Sequence, residues 1–434
     1  MILSFNVMQT VGFAILVFLV GKFIRTKVKF FQTFCVPAPV IGGFLFAIIR
    51  FVLALTGLCT FVFDNTLKDP FMMVFFTSIG VGADLDTLKK GGKGFVYFLL
   101  VATFLVIFQD VLGIFMCKVI GVDSLLGLVC GSVTMVGGHG SAGAWGSTFE
   151  EHGLFNASTF CMAAATFGVI MGSVIGGPIG SMLIRRNHLA KPTYNDSSEN
   201  NVLESLEKVN AGASYKELVP LNAFDFIKVL GLIFVSVGLG SILQVLIKNN
   251  VSILGNPLSL PSYVTAMILA GIFVNTIGKK GSKFAIDERA NSICGDVGLN
   301  IFLVMALIDI NLLDLKEVAG SMMVILLAQT VLMALYAYFI NYWVMGRNYD
   351  AAVLSGGLCG FGMGATYNGI ANMDSITERF GPSPKAYFVL PMVGAFAIDI
   401  INSISITVFL NIAQNFRWDS TLFTGQTSKE GTSF

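Results

Sequence analysis

Two glycine-rich stretches carry polar side chains that are suited to binding an ion or a small polar molecule. The first, Gly131–Trp145, reads GSVTMVGGHGSAGAW, and the second, Gly356–Asp374, reads GGLCGFGMGATYNGIANMD. Backbone broken by glycines persists in hydrocarbon only where it lines protein or a water-filled cavity, and helix ends at such breaks offer N–H groups to anions and C=O groups to cations. The pattern favours an ion and solute site, with tight helix packing as the alternative for each polar residue: His139, Ser141, Thr366, Asn368 and Asn372.

Asp399 is the strongest single candidate because it lies near the middle of a long apolar run. Asn402 and Ser403 follow at i+3 and i+4 and therefore share its helix face. A carboxylate beside amide and hydroxyl oxygens suits Na⁺ or the ammonium group of an amino acid, and an ionisable group at this depth is a functional candidate by default. The alternative is a structural ion pair or hydrogen bond to a neighbouring helix.

Five polar residues carry weaker signals than Asp399. Gln109, Asp110 and Gln329 are candidates for hydrogen bonds between helices. Arg50 is a candidate partner for one of the carboxylates or for an anionic substrate. His139 either senses protons or donates to a substrate carboxylate, or it is a structural residue in a tight turn.

The elements that position these residues are apolar helices. The chain has 434 residues, a mean hydropathy of +0.78 and 12% charged residues, about half the charged fraction of a soluble domain. Apolar blocks of roughly 20 residues match the thickness of the hydrocarbon layer, which predicts an all-α polytopic membrane protein. Ten spans are predicted, near 7–22, 36–56, 70–84, 95–117, 157–184, 224–247, 260–278, 293–309, 317–344 and 386–412.

The two halves of the chain match each other at an offset of about 226 residues. Asp84-Leu85-Asp86 corresponds to Asp309-Ile310-Asn311, and the two glycine-rich stretches also correspond. Each half then holds five spans and one re-entrant segment, and because five is odd the second half is predicted to be inverted. The predicted divisions are a first repeat 1–184 with re-entrant segment 124–150, a linker 185–222, a second repeat 223–413 with re-entrant segment 351–375, and a polar tail 414–434.

Loop charges predict the orientation. Lys and Arg concentrate on one side of the predicted spans, beginning with Lys22, Arg25, Lys27 and Lys29, and the positive-inside rule makes that side cytoplasmic. Both termini are then outside, the linker is cytoplasmic, and segment 124–150 enters from outside while 351–375 enters from the cytoplasm. The glycines Gly168, Gly172, Gly176 and Gly180 recur every four residues and predict a close helix contact, with a flexible hinge as the alternative.

The motifs do not indicate an enzyme or a nucleic-acid-binding protein. Gly360-x-Gly362-x-x-Ala365 lacks a preceding strand and a βαβ unit, and no GxxxxGK[ST] phosphate loop is present. The basic residues are dispersed in short loops, so binding of nucleic acid is not indicated. A channel or a membrane receptor is a further class of protein compatible with these apolar helices, although no part of the sequence resembles a signalling domain.

Three stretches make the chain resemble the sodium/glutamate symporter family. They are Gly137-Gly138-His139-Gly140-Ser141, Gly360–Thr366 continuing to Ile370–Met373, and Val393-Gly394-Ala395-Phe396 leading to Asp399. The resemblance implies Na⁺-coupled uptake of L-glutamate at the plasma (inner) membrane, a homodimer, an elevator-like movement, and no cofactor besides Na⁺ as the coupling ion. Two positions depart from the expected pattern, Ser141 in place of Thr and Tyr367 in place of Pro.

Residues and resemblance together predict a shared site at the two hairpin tips. The runner-up hypothesis is a Na⁺- or H⁺-coupled di- or tricarboxylate carrier of the same architecture. The predicted substrate ligands are His139, Gly140, Ser141, Gly364, Ala365, Thr366, Asn368, Asn372 and Asp399, and the predicted Na⁺ ligands are Ser141, Gly362, Thr366, Asp399 and Asn402.

Overall fold

The computed structural model of the protein describes residues 2–33, 36–83, 92–189, 221–253, 256–257, 260–278, 282, 284–310 and 315–415. Several features predicted from the sequence lie outside these residues. They are the Asp84-Leu85-Asp86 motif, Asn311 of its counterpart, most of the linker 185–222, and the tail beyond residue 415.

The described chain is almost entirely helical, with two short two-stranded pairings at its edges. Strand β1 (Ile2–Phe5) pairs in parallel with β2 (Thr60–Phe63), and β3 (Ser252–Ile253) pairs antiparallel with β4 (Asn256–Pro257). The helices are α1 (Val7–Lys27), α2 (Lys29–Thr33), α3 (Ala38–Leu55), α4 (Lys68–Val81), α5 (Gly92–Ile120), α6 (Ser124–Val129), α7 (Ser132–Met135), α8 (Gly138–Glu151), α9 (Ala157–Arg186), α10 (Ala223–Asn250), α11 (Ser262–Thr276), α12 (Glu288–Ile308), α13 (Leu315–Leu335), α14 (Tyr342–Val344), α15 (Tyr349–Phe361), α16 (Thr366–Phe380), α17 (Pro384–Met392) and α18 (Ile398–Asn415), with π-helical turns at Tyr336–Asn341 and Val393–Ala397.

Seven helices in the described part of the chain are long and apolar enough to cross a membrane, which supports a polytopic membrane protein. They coincide with seven of the ten predicted spans. The other three predicted spans also coincide with helices, but α4 has 14 residues, α11 has 15, and the apolar helical segment that overlaps 386–412, Ile398–Ala413, is shorter than 18 residues. The predicted number of ten spans is therefore not established by helix length.

Local sequence explains where the first helix of each predicted half begins. The Asn6 side chain accepts from the Gln9 N–H, and the Gln9 side chain accepts from the Asn6 N–H. Asn222 and Asp225 form the same reciprocal pair at the start of α10. Such a capping box satisfies two N–H groups that a helix end otherwise leaves without partners.

The helices form two packed bodies, each built from both halves of the sequence. In the first body, α4 packs against α11 and α12, while α3 packs against α1 and α12. In the second body, α9 is central and packs against α8, α15 and α16, with α5, α13 and α18 around them. Contacts between the bodies are sparse and include those of α12 with α8 and α9 and those of α11 with α18. Any site between the two bodies is therefore formed by helices that are far apart in the sequence.

The glycine ridge on α9 is a packing surface, as predicted. A Cβ at Gly168 would lie 2.3 Å from the Met363 carbonyl oxygen, and one at Gly176 would lie 2.0 Å from the Asn372 amide nitrogen. Neither neighbour leaves room for a side chain, so the second glycine-rich stretch sits directly on the α9 backbone. This close approach fixes the hairpin that carries Thr366.

Candidate functional site

Both glycine-rich stretches fold into helical hairpins. The first hairpin consists of α6, α7 and α8, with its tip at Val136–Gly138, and the second consists of α15 and α16, with its tip at Gly362–Ala365. The first arm of the first hairpin is interrupted at Cys130–Gly131, between α6 and α7. The sequence predicted one polar segment in each place, and the break within the first arm was not anticipated.

The two hairpin tips touch each other. Gly138 has a φ of +57°, a left-handed conformation that favours glycine, and a Cβ there would lie 2.3 Å from the Gly364 carbonyl oxygen. Thr366 Oγ1 donates to the Gly394 carbonyl oxygen at 3.3 Å, which ties the second tip to the π-helical turn before α18. The tips and the start of α18 therefore converge on one point.

A cavity of about 200 Å³ lies at this point, between the two bodies. Phe75, Phe76, Leu299 and Asn300 of the first body line one wall. Six of the predicted site residues line the opposite wall: His139, Gly140, Ser141, Ala365, Thr366 and Asp399. The structure thus brings the tips and Asp399 together, as the sequence predicted.

Two helices begin at this cavity, and their first residues line it. Helices α8 and α16 begin at Gly138 and Thr366, and neither N-cap residue, Gly137 or Ala365, makes a side-chain capping hydrogen bond. The first N–H groups of a helix have no partner within it, and the helix dipole places positive potential there. Two uncapped N-termini beside one cavity are suited to two anionic groups of one small ligand.

Asp399 supplies the only carboxylate among the described residues that line the cavity, and no Lys or Arg is among them. The residue is half-buried and follows the π-helical turn Val393–Ala397. No hydrogen bond or ion pair to its side chain occurs within the described residues. A carboxylate held in this way is available to a bound cation or ammonium group.

His139 presents one ring nitrogen without a partner. Its Nε2 lies 3.0 Å from Thr166 Oγ1, and Thr166 Oγ1 donates its own proton to the Met162 carbonyl oxygen. Thr166 must therefore accept from Nε2–H, which assigns the tautomer. The buried Nδ1 has no hydrogen-bond partner among the described residues, so it is the atom that can meet a ligand.

Five predicted ligands do not line the cavity. The Gly362 carbonyl accepts from Gln109 Nε2 at 2.8 Å, and the Gly364 carbonyl faces Gly138. Asn402 Nδ2 donates to the Ser132 carbonyl at 3.2 Å. Asn368 Nδ2 donates to the Val169 carbonyl at 3.0 Å, and Asn372 Nδ2 donates to the Gly172 carbonyl at 2.9 Å and to the Gly356 carbonyl at 3.2 Å. The side-chain amides of Asn368 and Asn372 therefore hold α16 against α9 and do not face the cavity.

Replacing Asn372 by alanine is therefore expected to lower stability and leave ligand affinity unchanged. Polar contacts between membrane helices contribute about 0.6 kcal/mol on average and up to about 1.7 kcal/mol. We expect a melting temperature in detergent that is a few degrees lower, since roughly 1 kcal/mol shifts a large domain by about 2–4 °C. Asn250→Ala, which removes a bond to the Leu246 carbonyl at an exposed helix end, is the control. Lost affinity at an unchanged melting temperature would restore Asn372 as a ligand.

Two further residues belong to the surroundings of the site and were not singled out from the sequence. Asp296 is exposed on α12, one turn before Asn300, and its charge inside the predicted span 293–309 was the available signal. Tyr263 of α11 is buried against Phe76 and Trp145, with ring centroids 4.4 Å and 6.3 Å away. Its position between the bodies depends on contacts across the sequence that no local pattern reveals.

A second, wider cavity adjoins the first. It measures about 520 Å³ and shares Pro37, Pro39 and Asn300 with the site, while Lys22 and Arg25 line its other side. Arg50 is not part of either cavity, because its Nη1 lies 3.2 Å from Asp309 Oδ1 and donates to the Ile308 carbonyl at 3.1 Å. The site therefore communicates with the face of the protein that carries Lys22 and Arg25.

One family model and several known proteins match this chain over most of its length. A family model described as sodium/glutamate symporter matches residues 3–382, which include both hairpins. The chain is 39% identical over 406 residues to the sodium/glutamate symporter of Escherichia coli (strain K12), covering 93% of this chain and 97% of that protein. The same values hold for the sodium/glutamate symporter of Shigella flexneri. For that of Haemophilus influenzae (strain ATCC 51907 / DSM 11121 / KW20 / Rd), identity is 39% over 401 residues, with 92% and 96% covered.

Proposed function

The chain belongs to the sodium/glutamate symporter family, and from this premise we propose that it couples the entry of Na⁺ to the uptake of L-glutamate. Membership of a transporter family agrees with a helical chain whose site lies between two bodies rather than with an enzyme. The observation that carries the proposal is the pair of uncapped helix N-termini at a cavity whose described lining includes one carboxylate, that of Asp399.

Glutamate matches this arrangement group by group. Its two carboxylates accept from the N–H groups at the starts of α8 and α16, with Gly140, Ala365, Ser141 and Thr366 beside them. Its ammonium group pairs with Asp399 and donates to the unprotonated Nδ1 of His139. A dicarboxylate without an amino group would lose the ion pair between its ammonium group and Asp399, and the half-buried carboxylate would then have only the coupling ion as a partner. The cavity therefore favours an acidic amino acid over the dicarboxylates of the runner-up hypothesis.

The coupling ion is proposed to bind beside the substrate. Ser141, Thr366 and Asp399 supply hydroxyl and carboxylate oxygens at the same cavity, and oxygen atoms are the ligands that a hard cation prefers. Na⁺ there offsets the negative charge that glutamate brings. No other cofactor enters the proposal.

The membrane arrangement extends the same proposal. Helix starts recur in the two halves at an offset of about 226 residues, with α9 matching α17, α5 matching α13, and Gly138 matching Gly364. This recurrence supports an inverted repeat with ten spans, and two hairpins that enter from opposite faces of the plasma (inner) membrane. Both termini are then outside, and the cavity near Lys22 and Arg25 opens to the cytoplasm.

Movement of one body against the other is the proposed route of alternating access. The few contacts between the bodies, such as Phe302 against Gly143, are compatible with an elevator-like displacement of the second body. A homodimer would then hold the first body in place in the lipid. Cross-linking in native membranes tests the dimer.

Uptake into proteoliposomes with the Na⁺ and proton gradients imposed separately tests the function. We expect saturable accumulation of labelled glutamate under a Na⁺ gradient alone, and none under a proton gradient alone. Unlabelled L-glutamate should compete strongly, whereas glutarate and citrate should compete weakly because they lack the ammonium group. Uptake driven by protons without Na⁺, or a preference for citrate, would favour the carboxylate carrier instead.

A further inference from the structure

Asp110 is a buried carboxylate that the proposed substrate site does not use. It lies in α5 and its side chain is fully buried. Two serines give it three hydrogen bonds from neutral donors: Ser132 N–H at 2.9 Å from Oδ1, and the hydroxyls of Ser132 and Ser405 at 3.0 Å and 3.3 Å from Oδ2. No Lys, Arg or His among the described residues pairs with it. An ionised carboxylate in this environment needs a cation.

The backbone around Asp110 is shaped to admit the carboxylate. The first hairpin arm is interrupted at Gly131, between α6 and α7, directly before Ser132. A Cβ at Gly131 would lie 2.8 Å from Asp110 Oδ1, so a larger residue there would overlap it. The interruption thus exposes the Ser132 backbone to the carboxylate.

A second, independent feature adjoins this position. The Asn402 side chain is 1% exposed, its Nδ2 donates to the Ser132 carbonyl oxygen at 3.2 Å, and its Oδ1 has no hydrogen-bond partner among the described residues. A buried amide oxygen without a partner costs free energy unless something occupies it. Because the same amide bonds Ser132, its unpartnered oxygen is available to a cation held at Asp110 and Ser132.

The four side chains offer the ligands that Na⁺ takes. Asp110 Oδ2, the two serine hydroxyls and Asn402 Oδ1 are all oxygens, and each hydroxyl keeps lone pairs while it donates. Asn402 and Ser405 follow Asp399 at i+3 and i+6 on α18. One polar face of α18 therefore leads from the cavity to Asp110.

We propose that Asp110, Ser132, Asn402 and Ser405 form a Na⁺ site separate from the cavity at Asp399. This inference rests on the proposed function, since Na⁺ is the ion that the transporter would carry. Ser132 belongs to the hairpin whose tip contacts the substrate cavity. Na⁺ at Asp110 would therefore stabilise the hairpin in the conformation that places Gly138 and His139 at the cavity.

The test measures Na⁺ binding and Na⁺-dependent uptake on the full chain carrying Asp110→Asn. Asparagine keeps an oxygen for Ser132 N–H and removes the charge. We expect the Na⁺ concentration for half-maximal glutamate uptake to rise about tenfold or more, which corresponds to about 1.4 kcal/mol or more. The Hill coefficient for Na⁺ should fall, and Na⁺ alone should raise the melting temperature less than in the wild type. Asp69→Asn, at an exposed position in α4, is the matched control and should leave all three unchanged.

Ser405→Ala keeps the test decisive if Asp110→Asn does not fold. It removes one oxygen and leaves the carboxylate in place, and we expect an increase of about threefold in the same Na⁺ concentration. A wild-type Na⁺ dependence in whichever variants fold would overturn the proposal and leave Asp110 with a structural role. An unchanged Na⁺ dependence with an altered pH dependence would also overturn it, in favour of a proton. If the wild type shows no Na⁺-driven glutamate uptake, the proposed function fails, while the melting temperature with Na⁺ alone still decides the site.

Discussion

Asp399→Asn is expected to abolish Na⁺-driven glutamate uptake without unfolding the protein. Asp399 is the only carboxylate among the described residues of the cavity wall and has no partner there, so its charge is available to the ligands alone. Removing one partner of a buried charge pair costs about 2–5 kcal/mol, which corresponds to a loss of affinity of roughly 30-fold to more than 1,000-fold. Initial rates of labelled glutamate uptake in proteoliposomes, recorded over a range of glutamate concentrations, measure this loss of affinity.

The substrate panel separates the two proposed roles of Asp399. If its carboxylate pairs with the ammonium group, Asp399→Asn should lose much more affinity for glutamate than for glutarate. If it binds only Na⁺, both compounds should lose affinity together, because both depend on the coupling ion. Asp69→Asn again provides the control for removing an exposed carboxylate. Uptake at the wild-type rate by Asp399→Asn would remove Asp399 from the site.

Gly138→Ala is expected to cause the second largest loss. The position has a φ of +57°, and a Cβ there would lie 2.3 Å from the Gly364 carbonyl oxygen, a backbone atom. A left-handed conformation costs a residue with a side chain roughly 1–2 kcal/mol, and the overlap adds to that cost. The two hairpin tips must move apart to relieve this overlap, which lies at the start of α8 beside the cavity. We expect glutamate affinity to fall by about tenfold or more, measured by binding to purified protein.

Substitutions at two other glycines distinguish backbone strain from steric overlap as the cause of that loss. Gly121 has a φ of +82° with nothing within 4 Å of its Cβ position, so Gly121→Ala introduces backbone strain alone. Gly231→Ala introduces neither strain nor overlap, since Gly231 in α10 has an ordinary φ and open space around it. Neither control should change glutamate affinity. Wild-type affinity in Gly138→Ala would show that the tips do not need to touch.

The hairpins and the position of Asp399 were predictable from local sequence. Six glycines in the nineteen residues of Gly356–Asp374 are incompatible with an ordinary span, because broken backbone needs a cavity or protein around it. An aspartate in an apolar run needs a polar environment, and the cavity provides it. Both predictions depend on the cost of burying polar groups, which a single stretch of sequence already reveals.

The roles of Asn368 and Asn372 were not predictable in the same way. Both are polar and close to a hairpin tip, but their spacing of four residues places them on one face of α16, against the glycine ridge of α9. Pairing that face with the ridge would have required knowing that α9 and α16 are neighbours. The interleaving of the two bodies was equally hidden, since it depends on contacts between residues far apart in the chain.

This interleaving determines how the protein is assembled during synthesis. Helix α4 packs against α11 and α12, but the ribosome must first complete α5–α9 and the linker. At roughly 5–20 residues per second, that delay is on the order of ten seconds. During it, surfaces such as Gly80, which later approaches the Met267 carbonyl oxygen, remain open to lipid or to the insertion machinery. Neither body is complete until the second half has been inserted, so two halves expressed as separate polypeptides would have to associate before either body could form.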